Sequence, residues 1–150
     1  MPREPEFDVT KAHRWFAVEA NNAAWDLLEK PQRADGDAAA MVHLAHAAAW
    51  HWSKVGGAIQ QCRAHVLLAA VHLSLGHKAE AVRSANRASH LLEESENATD
   101  FDRASVWRIY ANVCRDVGND AGVDRLEASL ATVWDRLGVE EREVIQSFPT

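Results

Sequence analysis

The sequence predicts an all-α protein built from antiparallel helical hairpins stacked in chain order. Three observations carry that expectation. Apolar residues recur at helical spacing along the 150 residues. No segment alternates apolar and polar residues between turn dipeptides, so strands are not expected. Breakers at Pro31, Gly56-Gly57, Gly76, Gly118 and Gly138 cut the chain into helix-length pieces. The connections between them are short, which makes sequential helices antiparallel neighbours. No heptad persists beyond one helix, so a coiled coil is disfavoured.

The first helix is expected from about Asp8 to Lys30, with an apolar stripe of Trp15, Val18, Trp25 and Leu28. Pro31 ends it, because the residue before a proline avoids the α region. Asp35 or Asp37 is placed to cap the second helix, which continues to about Lys54. The third runs from about Ala58 to Leu75, with Gly76 at a C′ position. The fourth covers His77 to Glu94, and the polar run Ser95 to Ala98 is a loop. Thr99-Asp100-Phe101-Asp102 reads as a capping box opening the fifth helix, which stops at Gly118. The sixth spans Asp120 to Leu137. A short helix over Glu140 to Ser147 follows, with Phe148 placed to dock it on the body. One domain, 1–150, is expected, with hairpins at about 8–54, 58–94 and 99–137 and a tail at 138–150.

Composition narrows the function classes. Hydrophobic residues are 47% and charged residues 25%, as in soluble globular domains. A net charge of -6 disfavours nucleic acid as a main partner, since phosphate-backbone binders carry basic surfaces. No run reaches transmembrane length and the opening MPREPEFDV has no apolar core, so no membrane partner is expected. Cys62 and Cys114 form no CxxC pair and read as free thiols of a reducing, cytoplasmic setting. Six tryptophans require a large core or a binding surface.

Ala38 to Trp52, AAAMVHLAHAAAWHW, contains no Lys, Arg, Asp or Glu. A helix apolar on nearly all sides belongs in the middle of a bundle, and polar groups there need partners. On a helical wheel His43, His46 and Trp50 share an arc of about 60°, and Cys62, His65, Ala69 and His72 share about 80° on the next helix. The two helices flank one short loop. A transition-metal site, zinc for example, assembled from His43, His46, His65, His72 and the Cys62 thiolate is therefore one reading. Hydrogen-bonded core histidines are the other. No HExxH, ExxH or paired CxxC is present, and the expected cofactor is none. A second constellation, Trp15, Asn22, Trp25, His43, His46 and Trp50, has the make-up of a small-ligand pocket between the first three helices. The competing reading is a Trp-rich core with Asn22 bonded to a backbone carbonyl.

The third and fourth helices resemble a tetratricopeptide (TPR) helix pair over about Cys62 to Glu94. Leu68-Ala69 precedes Gly76, and the small residues Ala81 and Ala88 follow seven apart. Trp107, Tyr110, Ala111 and Gly118 resemble that pattern more weakly, and Val123 and Leu130 stand where it has alanines. That pair should pack more loosely or at another angle. WFAVEANNAAWDLLE also resembles the opening of bacterial proteins of this size that carry no assigned activity. The resemblance implies a TPR-like right-handed superhelix whose first helices line a concave groove. It also implies that Arg108 and Asn112, with Arg63 and Arg115 on the same surface, hold a peptide carboxylate. The competing reading is a solvated face paired with Asp102, Asp116 or Asp120. Arg83, Arg87 and His90 read as an exposed face ion-paired to Glu80, Glu93 and Glu94, with no nucleic-acid role.

Cys62 with His65 is the one visible nucleophile–base pair, and no orienting acid or oxyanion hole accompanies it. No enzyme is expected. The expected function is non-catalytic protein or peptide interaction; the alternative is small-ligand or transition-metal binding in the His/Trp pocket. Three hairpins must cap their ends or pair with another copy, so a homodimer is expected.

Overall fold

The computed structural model describes residues 3–150, and all regular structure among them is helical. The helices are α1 (Val9–Glu29), α2 (Asp37–Val55), α3 (Ala58–Ser74), α4 (Lys78–Glu94), α5 (Asp100–Asp116), α6 (Asp120–Trp134) and α7 (Val139–Gln146). The most extensive contacts are α1 with α2, α3 with α4, and α5 with α6. The chain is therefore three consecutive hairpins. The hairpins follow one another through α2 on α3 and α4 on α5. The first helices also lie side by side, α1 on α3 and α3 on α5, and α7 returns onto α5.

Local chemistry sets the boundaries. Asp8 caps α1 by accepting from the Lys11 amide at 3.0 Å. The cap of α2 is Gly36, in the left-handed region at φ 88°, and neither Asp35 nor Asp37 takes that place. Asp37 is the first helical residue, and its carboxylate accepts from Lys30 Nζ and the Ala34 amide. The expected capping box is present: Thr99 Oγ1 accepts from the Asp102 amide and Asp102 accepts from the Thr99 amide. Gly76 and Gly118 stop α3 and α5 at φ 73° and 75°, a backbone that L side chains avoid. The sixth helix ends at Trp134, three residues before the expected Leu137.

The middle of the molecule is α3, not α2. Ile59, Cys62, Ala64 and the whole run Val66 to Leu73 are buried. It alone touches α1, α2, α4 and α5. In α2 only Met41, Ala45 and Ala48 are buried. Its apolar character is mostly alanine, which gives one small-residue seam rather than an all-round core. The α1 stripe is also corrected. Its buried line is Ala17, Ala20, Ala24 and Leu28, while Trp15 (59% exposed) and Val18 (41%) face outward. Small side chains on the seam let α2 approach closely and leave the large ones at the edges. Ala81, Ala85 and Ala88 do the same for α4 against α3, each with no exposed surface. The α5–α6 contact, with Val123 and Leu130 in place of alanines, is the least extensive of the three. Met41, Leu67, Leu91, Ile109 and Ile145 are fully buried, each stabilising by about 1.5–3 kcal/mol.

Candidate functional site

The face built by α1, α3 and α5 carries a cleft of about 720 Å³. Its apolar wall is Trp25 and Leu28 from α1, Val66 from α3 and Phe101 from α5. Phe148, just past α7, closes one side by stacking on Trp25, with centroids 5.7 Å apart and planes at 22°. The expected docking of Phe148 is thus present, and the ring is buried. Asn112 holds the same segment, donating from Nδ2 to the Pro149 carbonyl at 2.8 Å.

A charged pair sits in this apolar setting. Arg63 grips Asp102 through two parallel bonds, Nε to Oδ1 at 2.8 Å and Nη2 to Oδ2 at 3.0 Å. Burial pushes the Asp102 carboxyl up. Hydrogen bonds from Arg63 and from the Thr99 amide and hydroxyl outweigh it and hold the group below its ordinary range. The buried Ser105 Oγ beside them has no partner. Cys62 lines the same cleft, but its thiol donates to the Ala88 carbonyl at 3.3 Å. Burial, then the Asp102 charge, push that thiol up to about 12, so it is no activated nucleophile. The ionisable lining is Glu29, Asp102 and Glu143 against Arg63, three negative charges to one positive.

The remaining residues read as a carboxylate clamp are paired within the chain. Arg108 Nη1 and Arg115 Nη2 both donate to Glu127, at 3.1 and 3.2 Å. Arg115 Nη1 also donates to Asn112 Oδ1 at 3.0 Å. Asp102 and Glu127 therefore take the guanidinium capacity that a peptide carboxylate would need. Asp102 is one of the acids expected to pair with this face, whereas Glu127 takes the place expected of Asp116 or Asp120.

The six residues of the aromatic pocket are not brought together. Trp25 turns to the cleft, Trp15 and Asn22 are exposed, and Asn22 accepts from its neighbour Asn21 at 3.4 Å. His43 is exposed and lines neither the cleft nor the depression beyond α3. Of that set, His46 and Trp50 line a depression on the other side of α3 that also holds His65. The metal set divides too. His46 Nε2 lies 3.1 Å from His72 Nε2, and His72 Nδ1 lies 3.0 Å from His77 Nδ1. Cys62 is on the cleft side and His43 joins neither. Among the described residues no group of three or more His, Cys, Asp or Glu side chains is arranged to hold a metal. A neutral imidazole has one N–H, so the His46–His72–His77 chain satisfies its own ring nitrogens in one direction. His77 carries no sequence signal for this contact; it lies one residue past Gly76 and meets His72 across the left-handed turn.

A further cluster covers the outer side of the first hairpin. His13 and His51 meet at 2.8 Å through Nδ1, Phe16 stacks on His51, and Trp15 meets Phe16 edge-on. Trp15, Phe16 and Trp50 are each about half exposed there. No helix among the described residues is long and apolar enough to cross a membrane. Comparison with protein-family models, with curated proteins and with solved structures finds no match.

Proposed function

We propose that this protein is a non-catalytic, TPR-like helical-repeat module that binds an extended peptide in the cleft of the α1, α3, α5 face. One observation carries the reading. That face already holds a non-helical segment of its own chain by one aromatic anchor and one backbone carbonyl, Phe148 on Trp25 and Pro149 on Asn112. A side-chain amide that fixes a main-chain carbonyl binds any sequence, and pockets beside it supply selectivity. The space between Trp25, Leu28, Val66 and Phe101 then takes one further apolar side chain. The acidic excess of Glu29, Asp102 and Glu143 favours a basic residue next to it. The high thiol pKa of Cys62 supports a non-catalytic role.

The test is fluorescence anisotropy with labelled heptapeptides that place one Phe between lysines, or one Phe between glutamates. The lysine series is expected to bind, the glutamate series to bind at least about tenfold more weakly, and Trp25→Ala to abolish binding while circular dichroism stays helical. Equal affinity for the two series, or no binding by either, overturns the reading. Self-association belongs to the same proposal. The outer face of the first hairpin exposes Trp15 and Phe16, and the ends of short stacks require cover. A second copy of this chain, meeting the patch with its own, provides that cover.

A further inference from the structure

On the side of α3 away from the cleft, α2, α3 and α4 enclose a depression of about 600 Å³. Its ionisable lining is all of one kind: Arg83, Arg87, His46, His65 and His90, with no carboxylate among the lining residues. The chain as a whole carries -6, so this cluster runs against the overall charge. Arg83 has one ion pair, with Glu80 at 3.2 Å, and both ends of it are largely exposed. Such a pair contributes little and exchanges readily. Arg87 and His90 have no ion-pair partner among the described residues, and the expected pairing of the α4 stripe with Glu93 and Glu94 is not formed.

Two further features point to a ligand. The His65 Nδ1 atom is buried and has no hydrogen-bond partner. A buried unsatisfied nitrogen costs about 1–3 kcal/mol, so native structures rarely keep one without a reason. The lining also carries apolar groups, Ala49, Leu68 and the half-exposed Trp50 ring. Lys54 Nζ stands 5.1 Å from the centre of that ring.

We infer that this depression is a binding site for a small oxyanion carried on a flat apolar body, a phosphate monoester of an aromatic group being the matching chemistry. Arg83 and Arg87 supply the fixed positive charge and the guanidinium N–H donors that fit phosphate oxygens. His90, exposed on the same lining, supplies a further donor, and Trp50 with Leu68 lies beside the aromatic body. The burial of His65 and the nearby charges of Arg87 and His46 hold its imidazole toward the neutral form, which a bound anion reverses. The site is one depression and not a basic track, and the rest of the chain repels a long polyanion. A small ligand therefore fits where nucleic acid does not.

The experiment is NMR titration of the full chain with phenyl phosphate, following the histidine ring protons, with inorganic phosphate and phenol as separate probes. Saturable shifts at His65 and His90, with phenyl phosphate binding more tightly than inorganic phosphate and phenol not binding, are expected. Arg87→Gln should weaken binding about tenfold or more, the loss of one charge-assisted contact. Arg125→Gln, on a different helix, should leave it unchanged. Absence of saturable shifts up to millimolar phenyl phosphate, equal affinity in Arg87→Gln, or shifts confined to other histidines overturns the assignment. If inorganic phosphate and phenyl phosphate bind equally, the oxyanion alone is recognised and the aromatic part of the inference fails. None of these outcomes depends on the peptide cleft, which lies across α3.

Discussion

Arg63 of α3 and Asp102 of α5 are 39 positions apart and joined by two parallel hydrogen bonds, with the carboxylate buried and the guanidinium stem more than half exposed. The same carboxylate completes the capping box of α5, so one side chain fixes both a helix start and the approach of two helices. Asp102→Ala removes the cap partner and the bidentate contact together. A loss of about 2 kcal/mol is expected in urea denaturation. Arg63→Ala should cost about 1–2 kcal/mol, because Asp102 keeps its Thr99 donors. If Asp102→Ala cost no more than an exposed surface change, the pair would be an ornament of the fold.

The histidine chain gives a pH dependence with a definite sign. His72 is held below the ordinary 6.5 of imidazole by burial first, then by His46 and His77; His65 is lowered by burial, Arg87 and His46. The unfolded chain therefore binds protons first as pH falls. The stability that these groups contribute is complete above the unfolded value and declines as pH drops through 6.5 toward the folded values. Urea midpoints should fall between slightly alkaline and mildly acidic solution. His65→Gln combined with His72→Gln should flatten that slope, and an unchanged slope would refute the assignment.

Phe148 closes the cleft and anchors α7. Phe148→Ala should destabilise by about 3 kcal/mol, with the loss offset in part by collapse of Trp25 into the gap. Asn112→Ala releases the Pro149 carbonyl and should cost about 1 kcal/mol. Trp25 fluorescence and hydrogen exchange of α7 amides report these changes. Faster exchange confined to 139–148 is expected, and protection unchanged in both variants would show that neither contact holds the segment.

The aromatic face of the first hairpin predicts self-association. Sedimentation velocity across micromolar concentrations should show a monomer–dimer equilibrium that Phe16→Glu or Trp15→Glu shifts to monomer. A mass that is already monomeric and independent of concentration would remove the second copy from this face.

Gly122 tests the packing of the last hairpin. A Cβ there would lie 2.7 Å from Asn119 Nδ2 and 2.9 Å from Cys114 Sγ, and Asn119 caps α6 by accepting from the Gly122 amide. Gly122→Ala should cost about 1–2 kcal/mol despite its better helix propensity, since the clash falls on the cap and on a buried thiol. A thermal midpoint at or above the wild-type value would contradict this.

Much of the fold was legible because it depends on local chemistry. Proline, left-handed glycines and the Thr99–Asp102 box act within a few residues of themselves, so helix limits read correctly to within about three positions. The cap of α2 was missed because Asp35 and Asp37 are good cap residues by type. The turn after Pro31 puts Gly36 there and spends Asp37 on Lys30 and Ala34. The candidate site was legible only in pieces. Trp25, Cys62, Arg63 and Asp102 each stand out in the sequence, yet nothing in their spacing places them in one cleft with Phe148 and Ser105.

The sequence by itself determined the helices, their order and their hairpin pairing, because periodicity and short connections leave little choice of neighbour. Tertiary structure decided which face each helix buries. An alanine seam and an aromatic stripe compete on α1 and α2, and helical spacing satisfies both. Close approach of the two backbones favours the alanines and turns Trp15, Phe16 and Trp50 outward. The same choice sends His46 to His72 and Trp25 to Phe148, which separates two surfaces that the one-dimensional pattern had merged into a single pocket.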